Sequence, residues 1–317
     1  MTINIAIAVS EGLVMAADSM TQINAPNGAI LKNYPTAEKI TELGNLPMAT
    51  MVSGAGAISQ RSIISYIREF EFDILPTLGK TSVESIGENG GSNKPPTVRE
   101  VADKLKEFIQ EKYESASWPA AQAPPPGVPG AAVQWPPRLT VVVGGYSPRS
   151  FFPEVYEIDF PDAEVRQRHP IPGAPKGQPS ITWWGIGTSL NRLLHGFDIS
   201  ELTAVHLLLT QSPQTLQAAG ISLPEAPQNL PEPNACLGPI AQLARMQVVL
   251  DFMPLQEAVE FADYLGNVAI GYSRFSAGNQ VVGGQLDVLA IQPEGLSWYR
   301  RKVYVASMAS ARRKVFK

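Results

Sequence analysis

Apolar residues fill nearly every position of 3–9 (INIAIAV) and 13–17 (LVMAA), with a Glu11-Gly12 turn between the two runs. Runs this short and this uninterrupted read as strands buried on both faces. Residues 47–53 (PMATMVS) form a third such run, which SGAGAIS breaks, and QRSIISYIREFEFDI then shows helical periodicity. Residues 81–96, rich in Gly, Ser, Asn and Pro, read as a loop. Thr97-Val98-Arg99-Glu100 has the Thr-x-x-Glu form of a capping box and opens an amphipathic helix, VREVADKLKEFIQEKY.

A Pro-rich stretch at about 117–137, including APPPGVPG, is incompatible with a helix or a central strand and reads as a surface excursion. LTVVVGGY (139–146) and EVYEIDF (154–160) then form a hairpin pair, and SITWWGIG leads into a short helix at SLNRLLHGF. A second Pro-rich stretch at about 211–239 precedes a long helix, residues 254–272, and QLDVLAI and SWYRRKVYV close the chain as strands. The order is strands, two helices, strands, two helices, strands. Paired helices between groups of strands predict an α+β protein with helices layered on sheet faces. Both Pro-rich stretches read as insertions in one domain covering 1–317. The basic end RRKVYVASMASARRKVFK reads as a solvated strand and helix end.

With 317 residues, 44% of them hydrophobic, the chain can bury a sizeable core. A formal net charge of −4 leaves no polyanion footprint, so nucleic acid is not an expected partner. No apolar run reaches the length that spans a bilayer, and no basic stretch precedes the first apolar residues, so neither a membrane nor a secretory signal is expected. One cysteine, Cys236, excludes an internal disulfide and suits a reducing compartment, and a cytoplasmic location is the expectation. His169, His195 and His206 lie far apart, which makes a zinc site improbable, and His206 sits in an apolar stretch as a core residue would. SGAG and GIGTS lack the ending of a phosphate-binding loop. No cofactor is expected.

The ordered set of motifs resembles proteasome β subunits and their bacterial relatives, the N-terminal-nucleophile hydrolases. Thr2 followed by IAIAV, Glu11-Gly12 and Ala17-Asp18 is similar to the family's opening. Glu38-Lys39-Ile40 is similar to its lysine step, and MVSGAGAIS to its strand, glycine turn and long helix. VVVGGY and EVYEIDF, the Gly-Ile-Gly-Thr turn at 185–188, and VVGGQLDVLAI also match, so the resemblance covers most of the chain outside the Pro-rich stretches. It implies a four-layer αββα sandwich with two antiparallel sheets between helix layers. It also implies peptide or protein substrates, a homo-oligomeric ring with sites facing a chamber, and an unfoldase as a further partner.

The same resemblance assigns Thr2 as nucleophile once Met1 is removed, with Asp18, Lys39, Gly54, Thr188 and Asn279 as the other site residues. A threonine hydroxyl is a weak nucleophile until a base takes its proton. The α-amino group of a first-residue Thr2, with an ordinary pKa of about 7.7–8.0, is such a base. A Lys39 ammonium lowers that value by like-charge repulsion, and Asp18 holds Lys39 charged and in place. Backbone N–H groups of Ser53, Gly54 and Ala55, at the start of a helix, are the expected oxyanion donors. Thr188 stands where the family usually has a serine. Asn279 and Val282, ahead of Gly283-Gly284, stand where it has an aspartate and a serine. Taken singly, each residue has an ordinary reading: Thr2 a strand residue, Asp18 a turn cap, Lys39 a solvated lysine, Gly54 a strand-to-helix turn. Besides a threonine-type peptidase, a non-catalytic subunit of the same fold and an amidohydrolase for small amides remain open.

Overall fold

The first two strands set the architecture, because neither has a polar edge to present to water. β1 (Ile3–Val9) and β2 (Gly12–Ala17) are buried along their whole length. They pair antiparallel across the Glu11-Gly12 turn. The computed structural model describes residues 2–25, 30–78, 94–118, 136–175, 177–198 and 245–302. These fall into two compact units, residues 1–185 with 250–317 and residues 186–249.

In the first unit β1 and β2 are followed by β3 (Thr21–Asn24) and β4 (Ile30–Tyr34), a small hairpin, then β5 (Ile40–Glu42) and β6 (Met48–Gly54). A second small hairpin, β7 (Ala57–Ile58) and β8 (Arg61–Ser62), leads into α1 (Ile63–Glu69), which continues through a π-helical turn and a 3₁₀ turn to Thr77. After α2 (Val98–Glu114) come β9 (Leu139–Gly145), β10 (Glu154–Phe160), β11 (Glu164–His169) and β12 (Ser180–Gly185). The second unit contributes α3 (Thr188–His195), which ends on a left-handed Gly196 whose N–H donates to the Arg192 carbonyl. The first unit resumes with α4 (Leu255–Phe275), β13 (Asp287–Gln292) and β14 (Gly295–Arg300). The protein is thus of mixed α+β class.

Two five-stranded antiparallel sheets form the body of the first unit, in the orders β12-β1-β2-β13-β14 and β11-β10-β9-β6-β5. Alternation along each strand gives each sheet two apolar faces. Ala6, Ala8, Leu13, Met15, Ala17, Leu289 and Ile291 of the first sheet share one core cluster with Ile40, Ala49, Met51 and Val142 of the second. The alanines shorten the side chains where the sheets meet. The opposite face of the second sheet, including Val52, Val141 and Ile158, packs on Ile63 and Ile67 of α1 and on Val101, Leu105 and Ile109 of α2. α4 lies against β1, β2 and β13, with Ala258, Ala262, Leu265 and Ala269 buried. α2 carries the expected capping box: the Thr97 hydroxyl accepts from the Glu100 N–H, and the Glu100 carboxylate accepts from the Thr97 N–H at 2.7 Å.

The sequence expectation omitted β11 and the short strands β3, β4 and β5. β11 reads Glu-Val-Arg-Gln-Arg-His, so five of its six residues are polar or charged and the apolar criterion passes over it. The expected long helix at 254–272 runs three residues further, to Phe275. The loop at 81–93, most of both Pro-rich stretches, His206, Cys236 and the chain end from residue 303 lie outside the described residues. Among the described residues no helix is long and apolar enough to cross a membrane.

Candidate active site

β1 and β2 bring their ends together at Thr2 and Asp18, since Asn4 pairs with Ala17 in the antiparallel register. Thr2 is 3% exposed and Asp18 fully buried. The Thr2 hydroxyl donates to Asp18 Oδ1 at 2.5 Å. Lys39, in the segment before β5, is 6% exposed, and its Nζ donates to the Thr2 hydroxyl and, at 2.6 Å, to Asp18 Oδ1. Asp18 also accepts backbone N–H groups from Ile3 (3.0 Å), Met20 (3.2 Å) and Gly283 (2.9 Å). Three donors on Oδ1 and two on Oδ2 more than fill the roughly four acceptor sites of a carboxylate. The strand ends, the lysine segment and the Gly283 turn are thereby tied to one residue.

Thr2 and Lys39 line a cleft of about 380 Å³, with Ser53, Gly54, Glu38 and Arg68 among its other residues, and the fully buried Asp18 does not open onto it. Gly54 ends β6 at φ +86°, and a Cβ there would collide with the Arg138 carbonyl, so only glycine fits. Gly185, at φ +89°, presses in the same way on the Thr2 carbonyl. Both glycines let backbone approach the site closely. On the rim, Arg68 pairs with Glu38, and Arg301 lies 3.6 Å from the same carboxylate.

Burial, its largest influence, pushes the Lys39 ammonium below the ordinary lysine range, while the adjacent Asp18 pulls the other way. The atom its Nζ touches is the Thr2 oxygen. The geometry therefore offers a hydroxyl, a cationic donor on its oxygen, and a carboxylate that orients both.

The expected oxyanion donors need correcting. The Ala55 N–H is engaged by the Arg138 carbonyl at 2.8 Å. The Val52 N–H donates to the Lys39 carbonyl at 3.1 Å, and strand alternation puts the Gly54 N–H on that same edge, toward Lys39. Gly54 is therefore the donor best placed to face the cleft. Nor does the turn open a helix: β7 and β8 intervene, and α1 begins at Ile63 with the Ser62 hydroxyl as its cap.

Asn279 is an exposed residue of the stretch between α4 and β13, away from the lining of the cleft. Val282 is buried, and the neighbouring Gly283 N–H, not a side chain, serves Asp18. Thr188 belongs to the second unit, where it is the first residue of α3. Sequence reasoning missed Asp287 and Lys302, both buried in the first unit. An aspartate opening an otherwise apolar strand (DVLAIQ) was the available signal. Among the described residues no three His, Cys, Asp or Glu side chains gather where a metal ion could sit. No protein-family model matches the chain, and comparison with curated proteins gives no match either.

Proposed function

We propose that this chain is an N-terminal-nucleophile hydrolase similar to proteasome β subunits, cleaving peptide bonds with Thr2 as nucleophile after removal of Met1. The observation that carries the reading is the buried contact set of Thr2, Asp18 and Lys39, of which Thr2 and Lys39 line a cleft together with Gly54. A threonine needed only for packing has no use for a lysine on its hydroxyl and an ion pair sealed behind it. Helix α4 on one sheet, α1 and α2 on the other, and apolar residues of both sheets between them support the four-layer αββα arrangement that the resemblance implies. Assembly into a ring, delivery of substrate by an unfoldase and a cytoplasmic location belong to the same proposal.

In the reaction the Thr2 oxygen attacks the substrate carbonyl as its proton passes to the α-amine, with Lys39 as the cationic donor on that oxygen. Asp18 holds Lys39 and the hydroxyl in register. The Gly54 N–H meets the oxygen on which charge develops. The adduct collapses as the α-ammonium gives that proton to the departing amine and the peptide C–N bond breaks, and the acyl-threonine ester is then hydrolysed by water activated by the same amine.

The test is direct. Expressed with its native start, the protein should show an intact mass lacking Met1. A peptide epoxyketone, whose ring-forming adduct needs the hydroxyl and the amine of one residue, should add one molecule per subunit. Thr2→Ala should remove labelling and peptide cleavage, and Thr2→Ser should retain some of each. Active protein that keeps Met1 overturns the mechanism. Clean Met1 removal with neither labelling nor cleavage would favour a non-catalytic subunit of the same fold.

A further inference from the structure

A second buried ion pair lies close to the first. Lys302, within the basic end expected to be solvated, is 6% exposed, and Asp287 is 3% exposed. Lys302 Nζ meets Asp287 Oδ2 at 2.5 Å and donates to the Ala37 carbonyl at 2.8 Å. Asp287 Oδ1 accepts the backbone N–H of Lys302 itself at 2.9 Å. Enclosing two opposite charges is at best a weak source of stability, since apolar residues of similar size often hold a fold as well or better. What the pair touches points to a different role.

Asp287 lies opposite Ala17 in the β2–β13 register, one residue before Asp18. Ala37 lies two residues before Lys39 and lines the cleft. The stretch 35–39 belongs to no strand or helix, and the β5–β6 ladder reaches it only at its end, where the Val52 N–H donates to the Lys39 carbonyl. Residues 35–37 are held by contacts from elsewhere. The Ala37 N–H donates to the Ser19 carbonyl at 2.8 Å, the Ser19 hydroxyl donates to the Pro35 carbonyl at 2.8 Å, and Lys302 takes the Ala37 carbonyl. The Ser19 contacts tie the stretch to the strand end that carries Asp18, and Lys302 ties it to β13.

We propose that Lys302, held by Asp287, is a positioning residue that fixes the 35–39 stretch so that Lys39 reaches Thr2 and Asp18 together. The proposal rests on the reading of Thr2 as nucleophile. The Lys302 charge also adds to the larger effect of burial in holding Lys39 below the ordinary lysine range.

Three variants test it: Lys302→Met, Lys302→Arg, and the double variant Lys302→Met with Asp287→Leu. The probe is a β-lactone that acylates N-terminal threonine, used to measure the maximal trapping rate and the half-saturating concentration separately. Lys302→Met should lower the maximal rate by about tenfold to a hundredfold, the range typical of residues that orient a functional group from behind. The half-saturating concentration should not change, and Lys302→Arg should recover part of the rate. The double variant leaves no orphaned buried charge and should fold, yet it should keep the rate defect because the Ala37 carbonyl still lacks its donor. A crystal structure of either Met variant should show Lys39 Nζ out of hydrogen-bonding range of Thr2 or Asp18. Should Lys302→Met not fold, the double variant carries the same readouts. Trapping at the wild-type rate with Lys39 unmoved overturns the proposal. If the wild-type protein is not trapped at all, the nucleophile reading fails, and the position of Lys39 in the variant structure alone decides whether Lys302 places it.

Discussion

Asp18 and Glu157 are both carboxylates enclosed in the first unit, and they are used in opposite ways. Glu157, on β10, is 3% exposed and takes both forks of the Arg168 guanidinium, at 2.5 and 2.8 Å, together with the Trp184 indole N–H from β12. Burial raises its pKa, but the hydrogen bonds from Arg168 and Trp184 and the Arg168 charge outweigh that and hold it at about 2. A planar fork and an indole leave little of the carboxylate to act on anything else. Asp18 is paired instead with a lysine, a compact cation that keeps donors for a second partner, and the second partner is a hydroxyl beside a cleft. Burial alone does not distinguish a working ion pair from a structural one. The distinction lies in the choice of cation and in whether a nucleophile and an opening stand next to it.

The largest effect should come from breaking the pair at the cleft. Lys39→Met is expected to lower peptide turnover by about a hundredfold to ten-thousandfold, the usual contribution of a positioned acid–base group. Stranding the buried Asp18 charge should cost about 3–5 kcal/mol of stability, but secondary structure, followed by circular dichroism, should be retained under native conditions because Asp18 keeps four of its five donors. Turnover surviving within a few-fold would remove Lys39 from the mechanism.

The contrast between the two carboxylates also marks how far the sequence could be read. Thr2, Asp18, Lys39 and Gly54 were singled out by the ordered resemblance and not by local pattern, since each alone reads as an ordinary strand, turn or loop residue. Glu157 and Lys302 were not. Glu157 alternates with apolar residues along β10, as a solvated residue on an edge strand would, and what encloses it is Trp184 on the other sheet. Lys302 follows two arginines that remain partly exposed, at 47% and 38% of their side chains, so its charge looked like theirs. Its burial depends on Asp287 and Ala37, residues 15 and 265 positions away. Local pattern reports local neighbours, and these contacts are long-range.

Breaking the sealed pair should reverse the outcome. Glu157→Gln removes the charge facing Arg168 and weakens the link from β10 to β12. The charge left behind, Arg168, has a side chain 40% exposed, so water screens it and the cost is that of the lost charge-assisted hydrogen bonds, not of a stranded buried charge. Chemical denaturation should therefore register a loss of about 2–3 kcal/mol. Turnover per folded molecule should stay at the wild-type value. A fall in turnover with no loss of stability would mean that the two carboxylates are not separable in function.

The smallest effect concerns pH, and it lies in the same sealed region. His169, at the end of β11, is 2% exposed, and its Nδ1 lies 2.8 Å from the Ser180 hydroxyl on β12. Burial lowers its pKa from 6.5 to about 4. The folded state thus binds the proton less well than the unfolded chain. The sign follows from that difference: the neutral imidazole's contribution is fully present above pH 6.5 and is lost as the pH falls toward 4. By pH 5 the loss should be about 2 kcal/mol, on the scale of 1.36 kcal/mol per pKa unit. Glu157 does not confuse this window, because its own contribution is lost only between 4.5 and about 2. Urea midpoints measured from pH 8 to pH 5 should fall for the wild-type protein and stay nearly level for His169→Gln, which keeps a hydrogen-bonding side chain and removes the titration. Equal slopes in the two proteins would show that His169 is not held neutral. A slope that appeared in turnover per folded molecule and not in stability would place the histidine with the cleft, and the contrast between the two regions would have to be redrawn.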